Sequence, residues 1–262
     1  MLRELKAFYK KEGRAHLLWR NTRDPYKILV SELMLQQTQV ERVVPFYNRF
    51  IKMFPTPAAL AKAPLNRVLK AWQGLGYNRR AKFLHEAAKV IATHGWPADL
   101  EDLPGVGHYT ARAVAAFAFN KPEVFVETNI RTVFFHHMKK TSDYCSLSAQ
   151  EVLPMVEAAL KKSKMEPREF YAALMDYGSY LKKQGIQLNK QSKHYTKQSK
   201  FEGSARQLRG AILRELLKKP ATLLGLIKNL SPRTKGEVER ELRRLQAEGL
   251  IRRKSGGAFA VA

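Results

Sequence analysis

The sequence predicts an all-α protein, and three observations carry that prediction. Apolar residues recur at three- and four-residue spacing over 27–54, 58–72, 80–94, 108–119, 150–161 and 169–181. Proline and glycine punctuate between these stretches, at Pro55-Thr-Pro57, Gly74-Leu-Gly76, Gly95-Trp-Pro97 and Pro104-Gly105. No strand-like alternation persists before residue 250.

Taken in order, the first stretch holds the most informative run, Ser31-Glu-Leu-Met-Leu-Gln-Gln-Thr-Gln-Val40, in which Glu32 is the one acid and two adjacent amides follow it. A carboxylate among apolar side chains is costly unless it is paired or kept protonated. The spacing sets Gln36 at i+4 from Glu32, on the same helical face, with Gln37 beside it. The second stretch ends in Gly74-Leu-Gly-Tyr77, followed by Asn-Arg-Arg, which brings Tyr77, Arg79 and Arg80 into one turn. Leu103-Pro-Gly-Val-Gly107 then reads as a tight turn opening into the helix that begins His108-Tyr109. Gly105 and Gly107 let backbone approach backbone, and the N–H groups of such a turn (Gly105, Val106, Gly107, His108) suit a phosphate.

Residues 182–200 change character, with six lysines (182, 183, 190, 193, 197 and 200) and no acid. That composition reads as a loop or linker, solvated or laid on phosphates. After Gly203, helical patterns at 205–218 and 234–247 flank a shorter 221–229 segment, and Gly256-Gly257 separates two short apolar runs as in a hairpin. Three helices closed by a hairpin resemble a winged-helix module, and 14 Lys and Arg against 5 Glu give this segment a charge of +9. It is read as a second DNA contact or as a protein-packing module.

Composition narrows the partners. The net charge of +24 and a pI near 10.2 call for a polyanion, with nucleic acid ahead of an acidic membrane surface. Cys145 is the single cysteine, which excludes a disulfide framework and an all-cysteine metal centre. His136, His137 and His194 lack ligand spacing. The start, Met-Leu-Arg-Glu-Leu-Lys, has no signal-peptide core, and no apolar run approaches the roughly 20 residues of a membrane span. The expectation is a soluble, monomeric, cytoplasmic protein, nucleoid-associated if bacterial, with no membrane partner.

By itself Glu32 is either a buried acid satisfied by an arginine or a helix N-terminus, or a general acid. Together with Leu103-Pro-Gly-Val-Gly107 and Val126-Glu-Thr-Asn129, its setting resembles the adenine DNA glycosylases of the MutY type, in the helix-hairpin-helix superfamily of base-excision enzymes. The resemblance runs from about residue 1 to 180. It implies a two-lobed core, with 21–119 as the hairpin lobe and 1–20 plus 120–202 as the other; 203–262 stands outside it as the winged-helix-like appendage, where members of the family usually continue into a larger domain that reads 8-oxoguanine. It further implies that Glu32 protonates a flipped adenine and helps manage the attacking water. Gln36 and Gln37 would enter the duplex, Tyr77 would stack or wedge, and Arg79 and Arg80 would meet phosphates. Tyr109 stands where bifunctional relatives of the endonuclease III type carry a nucleophilic lysine, so no Schiff base is available there and a monofunctional enzyme follows.

Two departures stand out. Glu127 replaces the aspartate that stabilises the positive sugar, and Asn129 matches the asparagine that helps hold the water and carboxylate. One added methylene moves the charge by roughly 1 Å, which costs about 10²-fold in rate unless the pocket is rebuilt. The four cluster cysteines expected after Met175-Asp-Tyr-Gly178 are absent, so no [4Fe–4S] cofactor is expected. Lys193, Lys197 and Lys200 would keep that loop's DNA-facing role, with Tyr180, Tyr195 and Phe201 packing in place of metal. The rival readings are a thymine or uracil mismatch glycosylase, for which Glu32 matters less, and a non-catalytic lesion-binding protein indifferent to its loss.

Overall fold

The punctuation of the sequence becomes helix ends. The computed structural model describes residues 1–138, 148–186, 188 and 200–262. Cys145, Lys190, Lys193, His194, Tyr195 and Lys197 lie outside the described residues. In chain order the helices are α1 (Leu2–Glu12), α2 (Pro25–Leu35), α3 (Val40–Met53), α4 (Pro57–Lys62), α5 (Leu65–Trp72), α6 (Arg79–His94), α7 (His108–Phe119), α8 (Thr128–Met138), α9 (Ala149–Ser163), α10 (Pro167–Lys183), α11 (Ala205–Lys218), α12 (Leu223–Asn229) and α13 (Lys235–Ala247). Two short strands follow, β1 (Ile251–Arg253) and β2 (Phe259–Val261). The all-α class is borne out.

The chain forms two compact units, Met1–Glu32 with Val106–Lys197, and Leu33–Gly105 with Gln198–Ala262. In the first, α8 and α10 pack together and α1 lies on α10. Leu5, Ile28, Ile130, Val133, Phe135, Phe170 and Leu174 are fully buried there, each contributing about 1.5–3 kcal/mol by leaving water. Asp176 of α10 is buried among them and ties down the segment after α1. It accepts from the Arg14 backbone at 2.8 Å, from Arg14 Nε at 2.9 Å and from Arg20 Nη2 at 3.3 Å.

In the second unit α4 and α5 pack on α6 and α3 packs on α5, around Phe50, Leu60, Val68, Trp72 and Leu84. The C-terminal segment has its own core of Ile212, Leu226, Val238, Leu245 and Leu250. The hairpin forms with Ile251 opposite Val261 and Arg253 opposite Phe259, and the Gly256-Gly257 turn has φ of +93° and +83°, which side chains beyond glycine resist. A capping box of Thr234 with Glu237 opens α13.

Two differences from the sequence reading have physical causes. The 27–54 stretch is two helices, because the backbone of Gln37 turns left-handed (φ +54°) just after α2, and the 58–72 stretch is likewise two, α4 and α5, divided at Ala63-Pro64. Helix α8 was not among the periodic stretches. Its Thr, Asn, Val, Phe and His residues are poor helix formers, and tertiary packing on α10 overrides that weakness.

Candidate active site

Helix α2 starts where Asp24 caps it, the carboxylate accepting from the Tyr26 N–H at 2.9 Å. Ser31, the residue before Glu32, is buried, and Glu32 is itself only 6% exposed. Its partner is the Tyr109 hydroxyl from the first turn of α7, which donates to Glu32 Oε2 across 3.3 Å. Burial pushes the Glu32 carboxyl up from 4.5 to about 7, against the nearby Arg20 cation and the Tyr109 hydrogen bond, with the Glu127 charge adding to the rise. Burial and Glu32 together push the Tyr109 hydroxyl well above its ordinary range, so it remains a donor. The ring of Tyr109 is set edge-on against Phe125 at 5.6 Å, and Phe125 stacks on Tyr171 at 3.9 Å.

Glu127 is the N-cap of α8. Its Oε1 accepts from the backbone N–H groups of Asn129 at 2.6 Å and Ile130 at 2.9 Å, and its Oε2 from Asn129 Nδ2 at 3.2 Å. Lys182, in the last turn of α10, donates to Asn129 Oδ1 at 2.8 Å. Burial raises Glu127 above the usual carboxylate range, opposed first by the Lys182 charge and then by the Ile130 and Asn129 hydrogen bonds. Burial also lowers Lys182, and Glu127 opposes that. Glu32, Tyr109, Glu127 and Asn129 thus all fall in the first unit, as two hydrogen-bonded pairs coupled through the charge of Glu127.

Three residues of this site escaped the sequence reading. Arg20 is held by Asp176, stacks over the Phe117 ring at 5.2 Å, and keeps a buried Nη1 without a hydrogen-bond partner among the described residues. Asp176 lay in the quoted Met175-Asp-Tyr-Gly178 motif, yet nothing in its spacing pointed to Arg14 or Arg20. The lysine-rich composition from Lys182 onward predicts a loop or linker, solvated or laid on phosphates. Lys182 is instead helical and half-buried.

The residues expected to face DNA divide differently. Val106 is buried, while Gly107 and His108 are exposed at the start of α7. In the second unit Gly105 has φ +76°, and a Cβ there would lie 2.4 Å from Phe83, so the turn requires glycine. A cavity of about 440 Å³ in this unit is lined by Gln36, Gln37, Tyr77, Arg79, Arg80 and Gly105, with Arg206 and Arg209 from α11. Gln36 does not share a helical face with Glu32, since α2 ends at Leu35. Arg80 is not free to meet phosphate. It is 7% exposed, and its Nη1 donates to the carbonyls of Leu33 (2.8 Å), Met34 (3.0 Å) and Gln36 (2.5 Å), closing the C-terminus of α2. Arg79 is exposed, with its guanidinium 4.8 Å above Phe83. Tyr77 is also engaged: Arg206 donates to its hydroxyl and lies 5.3 Å over its ring. Lys200 is exposed; Phe201 is exposed with Arg206 5.7 Å over its ring, and Tyr180 sits 5.0 Å from Phe8.

A cluster cofactor does not fit the donor set. The sequence has one cysteine where a [4Fe–4S] centre needs four thiolates, and no three His, Cys, Asp or Glu side chains group as metal ligands among the described residues.

Residues 30–158 match the HhH-GPD superfamily of base excision DNA repair proteins. An adenine DNA glycosylase of Mycobacterium tuberculosis is 43% identical over 182 residues, covering 67% of this chain and 59% of the relative. The chain therefore spans under two thirds of that relative's length. An adenine DNA glycosylase of Mycolicibacterium smegmatis is 35% identical over 286 residues, with 99% of this chain and 95% of the relative covered. Among solved structures, a thermostable thymine-DNA glycosylase is similar at a TM-score of 0.58 and 26% identity, covering 74% of this chain and 94% of that one.

Proposed function

The chain belongs to the adenine DNA glycosylase family of the HhH-GPD superfamily of base excision DNA repair proteins, and from that premise we propose that it is a monofunctional DNA glycosylase. It hydrolyses the N-glycosidic bond of an adenine flipped from A:8-oxoguanine or A:G mispairs. The observation that carries this reading is the division of labour between two acids. Glu32 has the Tyr109 hydroxyl as hydrogen-bond donor, and burial raises it to about 7, so its acid form makes up a substantial share at neutral pH. Glu127 has three donors and a neighbouring ammonium, which favour its charge. Burial raises both carboxyls, but Glu127 has several donors and a cation opposing that rise where Glu32 has one donor, so Glu127 is the better placed of the two to carry the charge.

Adenine leaves poorly as an anion. Proton transfer from Glu32 to the ring makes it a neutral leaving group, and the positive charge that develops on the sugar is met by the Glu127 carboxylate. Asn129 and Glu127 then hold the water that completes hydrolysis. Tyr109 offers a phenol where an amine would be needed for a Schiff base, so the abasic strand is left intact. The flipped base costs a few kcal/mol of stacking, least at a mispair.

Double-stranded DNA is the partner. The charge of +24 supplies salt-dependent affinity, and the exposed residues Gly107 and His108 stand at the start of α7, where a helix N-terminus favours a phosphate. Gln37, Tyr77, Arg79 and Lys200 present amide, aromatic and cationic groups from the second unit. The segment 203–262 acts as a winged-helix-like DNA contact, with charge +9.

Single-turnover base release from A:8-oxoguanine, A:G, T:G and U:G duplexes tests this, with Glu32→Gln beside wild type. Adenine release abolished in Glu32→Gln is expected. Thymine release that survives Glu32→Gln would replace this reading with the mismatch-thymine one, which the likeness to a thymine-DNA glycosylase and the tyrosine at 109 favour. Binding with no release from any duplex would leave a non-catalytic reader.

A further inference from the structure

We propose that Lys182 is a positioning residue of this reaction, whose ammonium fixes the Asn129 amide and supplies a counter-charge that favours the Glu127 anion. The inference rests on the glycosylase reading above for its consequence in rate, and on geometry alone for the arrangement itself.

The arrangement starts from a glycine. A Cβ on Gly178 would stand 2.2 Å from the Asn129 carbonyl oxygen and 2.7 Å from its carbon, so α10 passes the start of α8 closer than a side chain permits. Lys182 lies four residues on, on the same face of α10, and this close passage brings its Nζ to Asn129 Oδ1 at 2.8 Å. An ammonium is a donor only. With Oδ1 engaged, the amide must turn its Nδ2 to Glu127 Oε2, at 3.2 Å. The flipped amide would set two donors face to face and two acceptors face to face, so Lys182 selects the orientation that serves the carboxylate.

Charge follows the same line. Lys182 from α10 favours the Glu127 anion, Glu127 in turn holds Arg131 of α8 toward its charged form, and the same carboxylate raises Glu32 of α2 and Tyr109 of α7, which favours their protonated forms. Lys182 is the largest of the opponents to burial. The longer acid at 127 and the cation at 182 therefore act as a matched pair in a chain that lacks the thiolates expected after Gly178.

The test separates charge from hydrogen bonding and both from activity. The Glu127 carboxyl is titrated by carbon-13 NMR in the full chain without DNA, its signal assigned by loss in Glu127→Gln. Lys182→Met and Lys182→Gln are expected to raise the Glu127 midpoint by about 1 unit, and Lys182→Arg to leave it in place. Gln keeps a donor for Asn129 without the charge, so it carries the same test if the Met variant fails to fold. In base release, the acid limb of the pH profile moves up by the same amount in Met and Gln and is rescued by Arg. Equal midpoints in wild type and both neutral variants, with helical circular dichroism intact, would overturn the proposal. A shifted midpoint in a protein that releases no base would instead overturn the glycosylase reading and leave the Lys182 assignment standing.

Discussion

The Tyr109 hydroxyl, on the first turn of α7, donates to the Glu32 carboxylate of α2 across 3.3 Å. That single donor works against burial, which otherwise holds the carboxyl protonated. With a midpoint of about 7, the acid form of Glu32 is present below that pH and is lost above it. Base release is therefore expected to fall on the alkaline side near pH 7. Tyr109→Phe removes the donor that favours the anion, so the alkaline limb should move to higher pH while the fold is retained. Single-turnover rates from pH 5 to 9 check this, and an unmoved limb would sink the assignment of that limb to Glu32.

The same shift has a cost in stability. The unfolded glutamate titrates near 4.5 and the folded one near 7, so between these values the unfolded state binds fewer protons and stability declines as pH rises. The penalty is absent below about pH 4.5 and complete above pH 7, reaching on the order of 3 kcal/mol at 1.36 kcal/mol per unit. Glu32→Gln should thus lose base release yet raise the midpoint of thermal unfolding at pH 8, with the gain vanishing at pH 4. A destabilised variant at pH 8 would contradict the burial account.

Arg79 and Arg80 are adjacent in sequence and opposite in role. Arg80→Ala leaves the carbonyls of Leu33, Met34 and Gln36 without their shared donor and should destabilise the protein by about 3 kcal/mol, read by urea unfolding. Arg79→Ala, at an exposed position, should leave stability unchanged and reduce the salt slope of DNA binding by about 1. Equal effects of the two on unfolding would show that Arg80 is not the closing group of α2.

What was legible in the sequence followed local pattern. The glycine-dependent turn at Gly105 and the Gly256-Gly257 hairpin depend on neighbours a few residues apart and are found where expected, while the helix periods place helical stretches without showing the breaks within 27–54 and 58–72. Glu32 stood out because an acid in an apolar run is a local anomaly. Helix α8 was missed, because its residues favour other states and only its packing on α10 holds it. Lys182 to Asn129 and Arg20 to Asp176 span 53 and 156 positions, and no periodicity encodes such pairs. Arg80 was misjudged because a surface arginine and a carbonyl-capping arginine read alike until the fold shows which backbone groups lack donors.

Glu127 gives the sharpest test of whether the site is built around the longer acid. At the N-cap of α8 an aspartate can still accept from the Asn129 and Ile130 N–H groups, so Glu127→Asp should change the unfolding midpoint little. The shorter chain withdraws the second oxygen from Asn129 Nδ2, now 3.2 Å away, and draws the anion back by roughly 1 Å. Misplacement of a stabilising charge by that distance corresponds to about a 10²-fold loss in rate. Base release by Glu127→Asp is therefore expected to slow by about that factor, even though aspartate is the residue expected from the family resemblance. A faster variant would mean that Glu127 is an impaired substitute, and that its contacts with Asn129 and α8 cap the helix without serving the reaction.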